Sequence, residues 1–444
     1  MHLPPAAFDA GLVASLRGLD RDGRSLFLLR TLRMFGYGFL AVVLVLYLVA
    51  IGLDPVGVGL VLTLTLVGDT IVSLWLTTQA DRLGRRRVLL AGSLLLAAAG
   101  LVFALTDWLP LLIVAGIIGV ISPTGAEVGP FVAVEQAGLT QIVRPTRRTA
   151  TFAWYNLVGL LAAAVGALGA GVASQVLLEN GFVEADAYRI VVIGYASIGL
   201  LMAAVAARLG PAIEATIQPR TERGELRRRF GLGRSRGVVL RLSALFTLDS
   251  FGGGFVPQSL IAYWFHLAFG VEPAALGLIL FGANVLAALS SLSAARIAAR
   301  IGLINTMVFT HLPANILLLL VPLMPTFELA VIVLLARFAL SQMDVPTRQS
   351  YVMAVVDPDE RSAAAGVTGM ARTLGAAISP SMGAVMMASA GYVALPFYLA
   401  GGLKIAYDLL LYRDFRSVRP PEELDELPPR PDPVRRSRER PDEA

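Results

Sequence analysis

Ionisable residues stand inside long apolar stretches of this chain: Arg33, Asp69, Glu127, Glu135, Asp249, Arg337, Asp344, Arg372, Lys404 and Asp408. In lipid each would cost about 2.5–3.5 kcal/mol or more, so each must face a polar cavity or a partner. Two kinds of chemistry are open to such groups: binding a charged solute, and carrying a proton between two aqueous faces. A proton carrier must change charge. All but one of the 37 basic residues are Arg, which does not deprotonate in proteins. The exception, Lys404, falls in the last apolar stretch, which reads as peripheral. The carrier is therefore expected to be a carboxylate, with a histidine (His2, His266 or His311) as second choice.

Asp69 and Glu127 best meet that requirement. Asp69 lies twelve residues before Asp81, about 18 Å deeper at 1.5 Å per residue. Desolvation there favours a neutral carboxyl, which suits loading and release of a proton. Its structural alternative is a hydrogen bond to Ser73 or to a neighbouring Arg. Glu127 sits in Ser122-Pro123-Thr124-Gly125-Ala126-Glu127-Val128-Gly129-Pro130. The two prolines remove backbone donors, and broken helix at membrane depth is tolerated where it lines a cavity. That break should admit water, which favours Glu127 over Asp69; a packing kink is the plainer account. Glu135 is expected to pair with the basic run Arg85–Arg87. Asp344 and Arg348, four apart, read as an intrahelical pair.

Spanning helices must position these groups. The chain has 444 residues, 56% hydrophobic and 16% charged, with mean hydropathy +0.70, which implies an all-α polytopic membrane protein. A basic balance (+5) could point to nucleic acid, but the arginines cluster in short loops between apolar spans, so no nucleic acid is expected. No cysteine is present, and three scattered histidines cannot build a metal cage. Neither metal nor cofactor is expected. Twelve spans are predicted, near 27–50, 56–79, 88–106, 109–140, 150–178, 190–209, 238–267, 274–296, 303–323, 329–350, 362–389 and 393–411. Residues 1–26 read as an amphipathic segment, 210–237 as an Arg-rich linker, and 412–444 as a disordered tail.

The loops divide by charge. Arg82–Arg87, Arg144, Arg147, Arg148, the linker, Arg296, Arg300 and Arg361 fall on one side. Asp54, Asp107, Glu179, Glu184, Asp186, Glu272 and Glu328 fall on the other, with Arg189 the lone base. The positive-inside rule then puts both termini in the cytoplasm, in a cell (inner) membrane. An internal repeat divides the spans six and six. Gly52-Leu-Asp54-Pro55-x3-Gly59-Leu-x-Leu62 recurs as Gly270-Val-Glu272-Pro273-x3-Gly277-Leu-x-Leu280, and Arg82-x-Gly84 as Arg300-x-Gly302. Two pseudo-symmetric bundles, 27–209 and 238–411, are the expectation.

Asp81-Arg82-Leu83-Gly84-Arg85-Arg86-Arg87, between spans two and three, resembles the cytoplasmic signature loop of the major facilitator superfamily. With the repeat, the resemblance covers roughly residues 27–411. It implies a rocker-switch transporter of a small organic solute, not an enzyme, working as a monomer in the bilayer. Spans one, four, seven and ten would line the cavity, placing Arg33, Tyr37, Glu127, Asp249, Gln258, Arg337 and Asp344 there. Asp81, Arg82, Gly84, Arg85 and Arg86 would form the cytoplasmic gate motif. Proton coupling through Glu127 or Asp69 is expected, with efflux by antiport the favoured mode. An uncoupled facilitator or lipid flippase is the first alternative, and a non-transporting solute receptor the second. Three departures from the family are visible. Thr77 replaces a usual glycine, span four lacks the Arg common in drug antiporters, and Gly166 is followed by Ala167 rather than proline.

Overall fold

The structure, a computed structural model, describes residues 19–125, 131–144, 148–214, 233–357, 360–389 and 391–418, excluding the side chains of 77, 78, 81, 149, 150 and 362. Glu127, the Asp81 carboxylate, most of the linker and the terminal segments lie outside the described residues. Fifteen α-helices are described: α1 (Arg21–Ala50), α2 (Pro55–Leu83), α3 (Arg85–Leu105), α4 (Leu109–Ile118), α5 (Phe131–Ile142), α6 (Arg148–Glu179), α7 (Glu184–Ala206), α8 (Arg236–Gly254), α9 (Gln258–Phe269), α10 (Pro273–Ile301), α11 (Leu303–Leu320), α12 (Phe327–Ser341), α13 (Asp344–Val355), α14 (Arg361–Ala388) and α15 (Leu395–Phe415). Nine helical stretches among the described residues are long and apolar enough to cross a membrane. The pair α4/α5 and helices α14 and α15 fill the other places of a twelve-span arrangement.

The repeated motifs are helix-boundary chemistry. Asp54 caps α2 by accepting the Gly57 N–H at 2.9 Å, and Pro55 takes the first helical position, where its missing donor costs nothing. Gly84 ends α2 and begins α3 at φ 96°, and Gly302 does the same between α10 and α11 at φ 83°. A side chain is strained at such angles, so both tight reversals need glycine.

Three spans are broken. Span four splits between α4 and α5, where Val120 holds φ 53°, an outlier for a β-branched residue. Span seven stops at Gly254 and resumes at Gln258, where Gly252-Gly253-Gly254 and Pro257 stand. Span ten also breaks, at Gln342 and Met343, where no proline or glycine announces it.

Small residues let helices touch backbone to backbone, which is how spans associate without a hydrophobic drive. Gly38 faces the Ala163 carbonyl across α1 and α6, and Gly166 faces the Phe35 carbonyl of α1 in return. Between the two bundles, α6 packs on α10 and α2 on α14, with α9 against α1. A Cβ on Gly171 would stand 2.8 Å from the Gly277 Cα, so the α6–α10 seam is closed by glycine on both sides.

Candidate functional site

Buried charge gathers in two places. In the first bundle, Arg33 donates from Nη1 and Nη2 to the two oxygens of Glu135, at 2.5 and 2.9 Å. The Tyr155 hydroxyl also donates to Glu135, and both ion-pair side chains are fully buried. The Arg33 guanidinium lies 4.7 Å from the Phe131 ring centre, and Arg30 covers the Tyr155 ring at 4.5 Å. This corrects the expected pairing of Glu135 with Arg85–Arg87. The physical reason is that Glu135 is sealed against α1, while Arg85 donates instead to Gln141 Oε1 (2.7 Å) and the Ile213 carbonyl (3.0 Å). Tyr37 is wholly buried one turn beyond Arg33 on α1. Asp69 is buried and accepts from Ser73 Oγ at 3.1 Å, the local contact considered for it.

The second bundle holds the larger network, centred on Asp249 of α8. Lys404 Nζ donates to Asp249 Oδ1 at 2.6 Å, and Arg348 Nη1 lies 3.4 Å from Oδ2. Arg348 Nη1 also donates to Asp344 Oδ2 at 2.9 Å, the expected intrahelical pair. Behind Lys404, His311 Nδ1 lies 2.8 Å from Asp408 Oδ1, and Asn315 Nδ2 donates to Asp408 Oδ2 at 2.9 Å. His311 Nε2 is 3.8 Å from Asp249 Oδ1. One carboxylate thus ties α8 to α13 and α15, and through His311 to α11.

Lys404 was set aside as peripheral on sequence grounds, and that is corrected: α15 packs directly on α8 and delivers its amine to Asp249. His311 was named only as a second-choice proton carrier, and Asn315 was not singled out. A signal existed, since His311-x3-Asn315 and Lys404-x3-Asp408 each put two polar groups on one helix face.

Arg337 and Arg372 stand apart from these bonds. Each has a buried Nε without a hydrogen-bond partner, and the Arg337 guanidinium rests 4.9 Å from the Phe338 ring centre. At membrane depth this bundle therefore carries Arg337, Arg348, Arg372 and Lys404 against Asp249, Asp344 and Asp408, one positive charge in excess with His311 neutral. Gln258, at the start of α9, donates to Asn284 Oδ1 at 3.0 Å, and the Gly125 backbone approaches it from span four.

At the basic-loop end, Glu214 accepts the backbone N–H groups of Arg85 (2.7 Å) and Arg86 (3.2 Å), and Asp22 accepts that of Gly210 (2.9 Å). Glu360 accepts those of Gly233 (2.7 Å), Arg234 (3.0 Å) and Ser235 (3.0 Å). Burial works against the Glu360 charge, but the amides of Gly233 and Ser235 outweigh it and hold the carboxyl below its usual range. Both ends of the linker are thereby clamped, one to each bundle. Arg82 is exposed in the gate motif.

The described side-chain hydrogen bonds between the bundles gather towards the acidic loops. Ser381 Oγ donates to the Gly59 carbonyl at 2.8 Å, Thr63 and Ser381 share a 2.5 Å contact, and Gln175 donates to Glu272 at 2.9 Å. Nearer mid-depth, the Ser259 N–H reaches the Pro123 carbonyl at 3.4 Å.

The chain matches the profile of the Major Facilitator Superfamily over residues 26–380 and 250–440. It is 30% identical over 426 residues to an uncharacterized membrane protein of Saccharomyces cerevisiae, covering 90% of this chain and 95% of that one. Its fold is similar to the xylose transporter XylE from E. coli in an inward-open conformation, with TM-score 0.69 and 15% identity over 91% of this chain and 99% of that one. A bacterial homolog to the human lysosomal transporter Spinster, inward-facing and occupied, matches with TM-score 0.68 and 15% identity, covering 89% of this chain and 97% of that one.

Proposed function

The chain belongs to the Major Facilitator Superfamily, a membrane transporter by that membership rather than an enzyme, and from that premise we propose that it is a proton-coupled secondary transporter of a small organic solute. The observation that carries the reading is the one-sided meeting of the two bundles. Their described hydrogen bonds gather towards the acidic loops, as in one half of an alternating-access cycle. A parting of the bundles towards the basic loops, the cytoplasmic side by charge, would complete such a state. Both termini lie on that side, and the protein works as a monomer in the cell membrane.

The solute carries an anionic group. Arg337 and Arg372 supply permanent charge with donors to spare, and burying an unpartnered donor costs about 1–3 kcal/mol that a bound carboxylate or phosphate would recover. Arg33, Tyr37, Glu127, Asp249, Gln258 and Asp344 complete the proposed cavity, and Asp81 with Arg82, Gly84, Arg85 and Arg86 forms the gate. Asp69 or Glu127 serves as a coupling acid, in antiport by preference.

A thermal-shift screen of organic anions, cations and neutral solutes on the purified protein would identify ligands. Flux of each hit in proteoliposomes then tests transport, with and without a pH gradient. One pH unit corresponds to about tenfold accumulation for one proton per solute. Binding without flux would make the protein a receptor, and flux indifferent to pH an uncoupled facilitator or flippase. If only cationic or neutral solutes compete, and Arg337→Gln transports normally, the anionic assignment fails.

A further inference from the structure

The second bundle contains a titratable group outside the coupling acids already considered. We propose that His311 is a proton-loading group of the transporter, acting on the span-seven hinge through Asp249 and Lys404. This rests on the proton-coupled reading above and assigns it a site.

Asp408 faces a nitrogen on each oxygen, Asn315 Nδ2 on one and His311 Nδ1 on the other, and Asn315 Nδ2 also lies 3.1 Å from His311 Nδ1. With Asp408 ionised it only accepts, so the Asn315 amide is turned to Asp408, Nδ1 carries the proton of the neutral ring and Nε2 is left bare. That bare nitrogen lies 3.8 Å from Asp249 Oδ1, an acceptor facing an acceptor. A proton on Nε2 turns this contact into an attraction. It also puts a second cation on the oxygen that Lys404 already holds at 2.6 Å.

Charge within the bonded network points the same way. Within the hydrogen-bonded set, Asp249, Asp344 and Asp408 face Arg348 and Lys404, and a protonated His311 balances that set; Arg337 and Arg372 lie outside these bonds and add positive charge beyond it. The groups facing the imidazole are Asp249 of α8, Asp344 of α13, and Lys404, Tyr407 and Asp408 of α15, with Tyr407 edge-on to the ring at 5.9 Å.

The network also has a mechanical outlet. Asp249 lies five residues before the end of α8 at Gly254, where span seven breaks. The Lys404 chain runs over that break: a Cβ on Gly252 would stand 3.2 Å from Lys404 Cγ, and one on Gly253 would stand 3.5 Å from its Nζ. When loaded His311 competes for Asp249 Oδ1, the amine that lies across the glycines loses its hold. Loading and the angle between α8 and α9 are thereby linked.

The experiment needs no solute, because the proton is the ligand. Nitroxide labels at Arg208→Cys and Arg300→Cys, both exposed at the basic-loop ends of different bundles, report the separation there. The chain has no native cysteine to interfere. Pulsed electron–electron distances between about pH 5 and 8 should shift from one population to another in the wild type. His311→Gln should abolish that shift, while His266→Gln, a histidine whose ring meets only the Val271 carbonyl at 3.0 Å, retains it. A direct measurement covers the case where the variant misfolds. The chain has three histidines, so isotope-labelled histidine in a His2→Gln/His266→Gln background isolates the His311 resonance. A His311 ring that does not titrate in this range, or a His311→Gln profile equal to wild type, overturns the proposal. If the wild-type distances ignore pH, and vesicles loaded with a pH dye show no proton movement during solute flux, proton coupling itself falls. If protons move but His311→Gln behaves as wild type, only this assignment does.

Discussion

The Arg33–Glu135 pair permits a quantitative test of how the first bundle is held. Arg33→Met keeps the apolar stem and deletes the guanidinium, leaving Glu135 sealed beside Tyr155 without its cation. Removing one member of a fully buried ion pair costs about 3–5 kcal/mol, because the survivor cannot regain its hydration. For a cooperative unit of about 150–250 residues, each kcal/mol moves the melting temperature by about 2–4 °C. The expected loss is thus about 6–20 °C in a fluorescence melt of detergent-purified protein. Replacing both partners, Arg33→Met with Glu135→Leu, should recover at least half of it, since no lone charge remains. The Tyr155 hydroxyl then lacks its acceptor, and adding Tyr155→Phe should recover more. The reasoning is refuted if Arg33→Met melts within about 2–4 °C of wild type, a cost near 1 kcal/mol. It is equally refuted if the double variant is less stable than the single one.

Further outcomes are expected. Single cysteines at 186 and 272 should label from outside intact cells, and those at 224 and 430 only after permeabilisation; labelling at 224 without permeabilisation would reverse the orientation. Asp81→Asn should leave the protein folded but slow or abolish flux, and wild-type flux would remove Asp81 from the gate. Glu360 has its carboxyl held below the unfolded value of about 4.3, so its contribution to stability is present above that value and lost as pH falls through the folded one. Melts between about pH 6 and 3 should therefore show a shallower acid loss in Glu360→Gln than in wild type, and parallel curves would dismiss the clamp.

The fold was legible because its signals are local. Asp54-Pro55 and Glu272-Pro273 start spans, and Gly84 and Gly302 reverse the chain at φ angles that glycine adopts freely. Each signal concerns a residue and its own backbone, which is the level at which sequence speaks without a structure. Gly252-Gly253-Gly254 before Pro257 is a signal of the same local kind, and span seven breaks there. The break in span ten escaped notice because Gln342 and Met343 are ordinary helix residues. There Asp344 turns its carboxylate to Arg348 at the start of α13, which links the restart to a contact within the new helix.

Partnerships across spans were harder to read, for a reason that Glu135 and Lys404 share. Depth can be counted from a loop, but the direction a side chain takes around its helix depends on which neighbour the helix packs against. Glu135 was near enough to the Arg85–Arg87 loop in sequence depth to be assigned there. The rotation of α5 sends it to Arg33 on α1, across 102 residues of sequence. Lys404 was dismissed by the rank of its span, yet α15 lies against α8, and the glycines of α8 leave room for the lysine chain to cross. The absence of side chains at Gly252 and Gly253 thus has two consequences. It ends a helix, which sequence reveals, and it opens a path for a cation to Asp249, which only packing reveals. Filling that path is the sharpest check of the connection. Gly253→Ala would bring a Cβ within 3.4 Å of Lys404 Cε, a distance the flexible chain can absorb. Gly252→Leu would occupy the path itself and should uncouple the lysine from Asp249. A pH-dependent distance change that survives Gly252→Leu unaltered would mean that the hinge moves without the lysine.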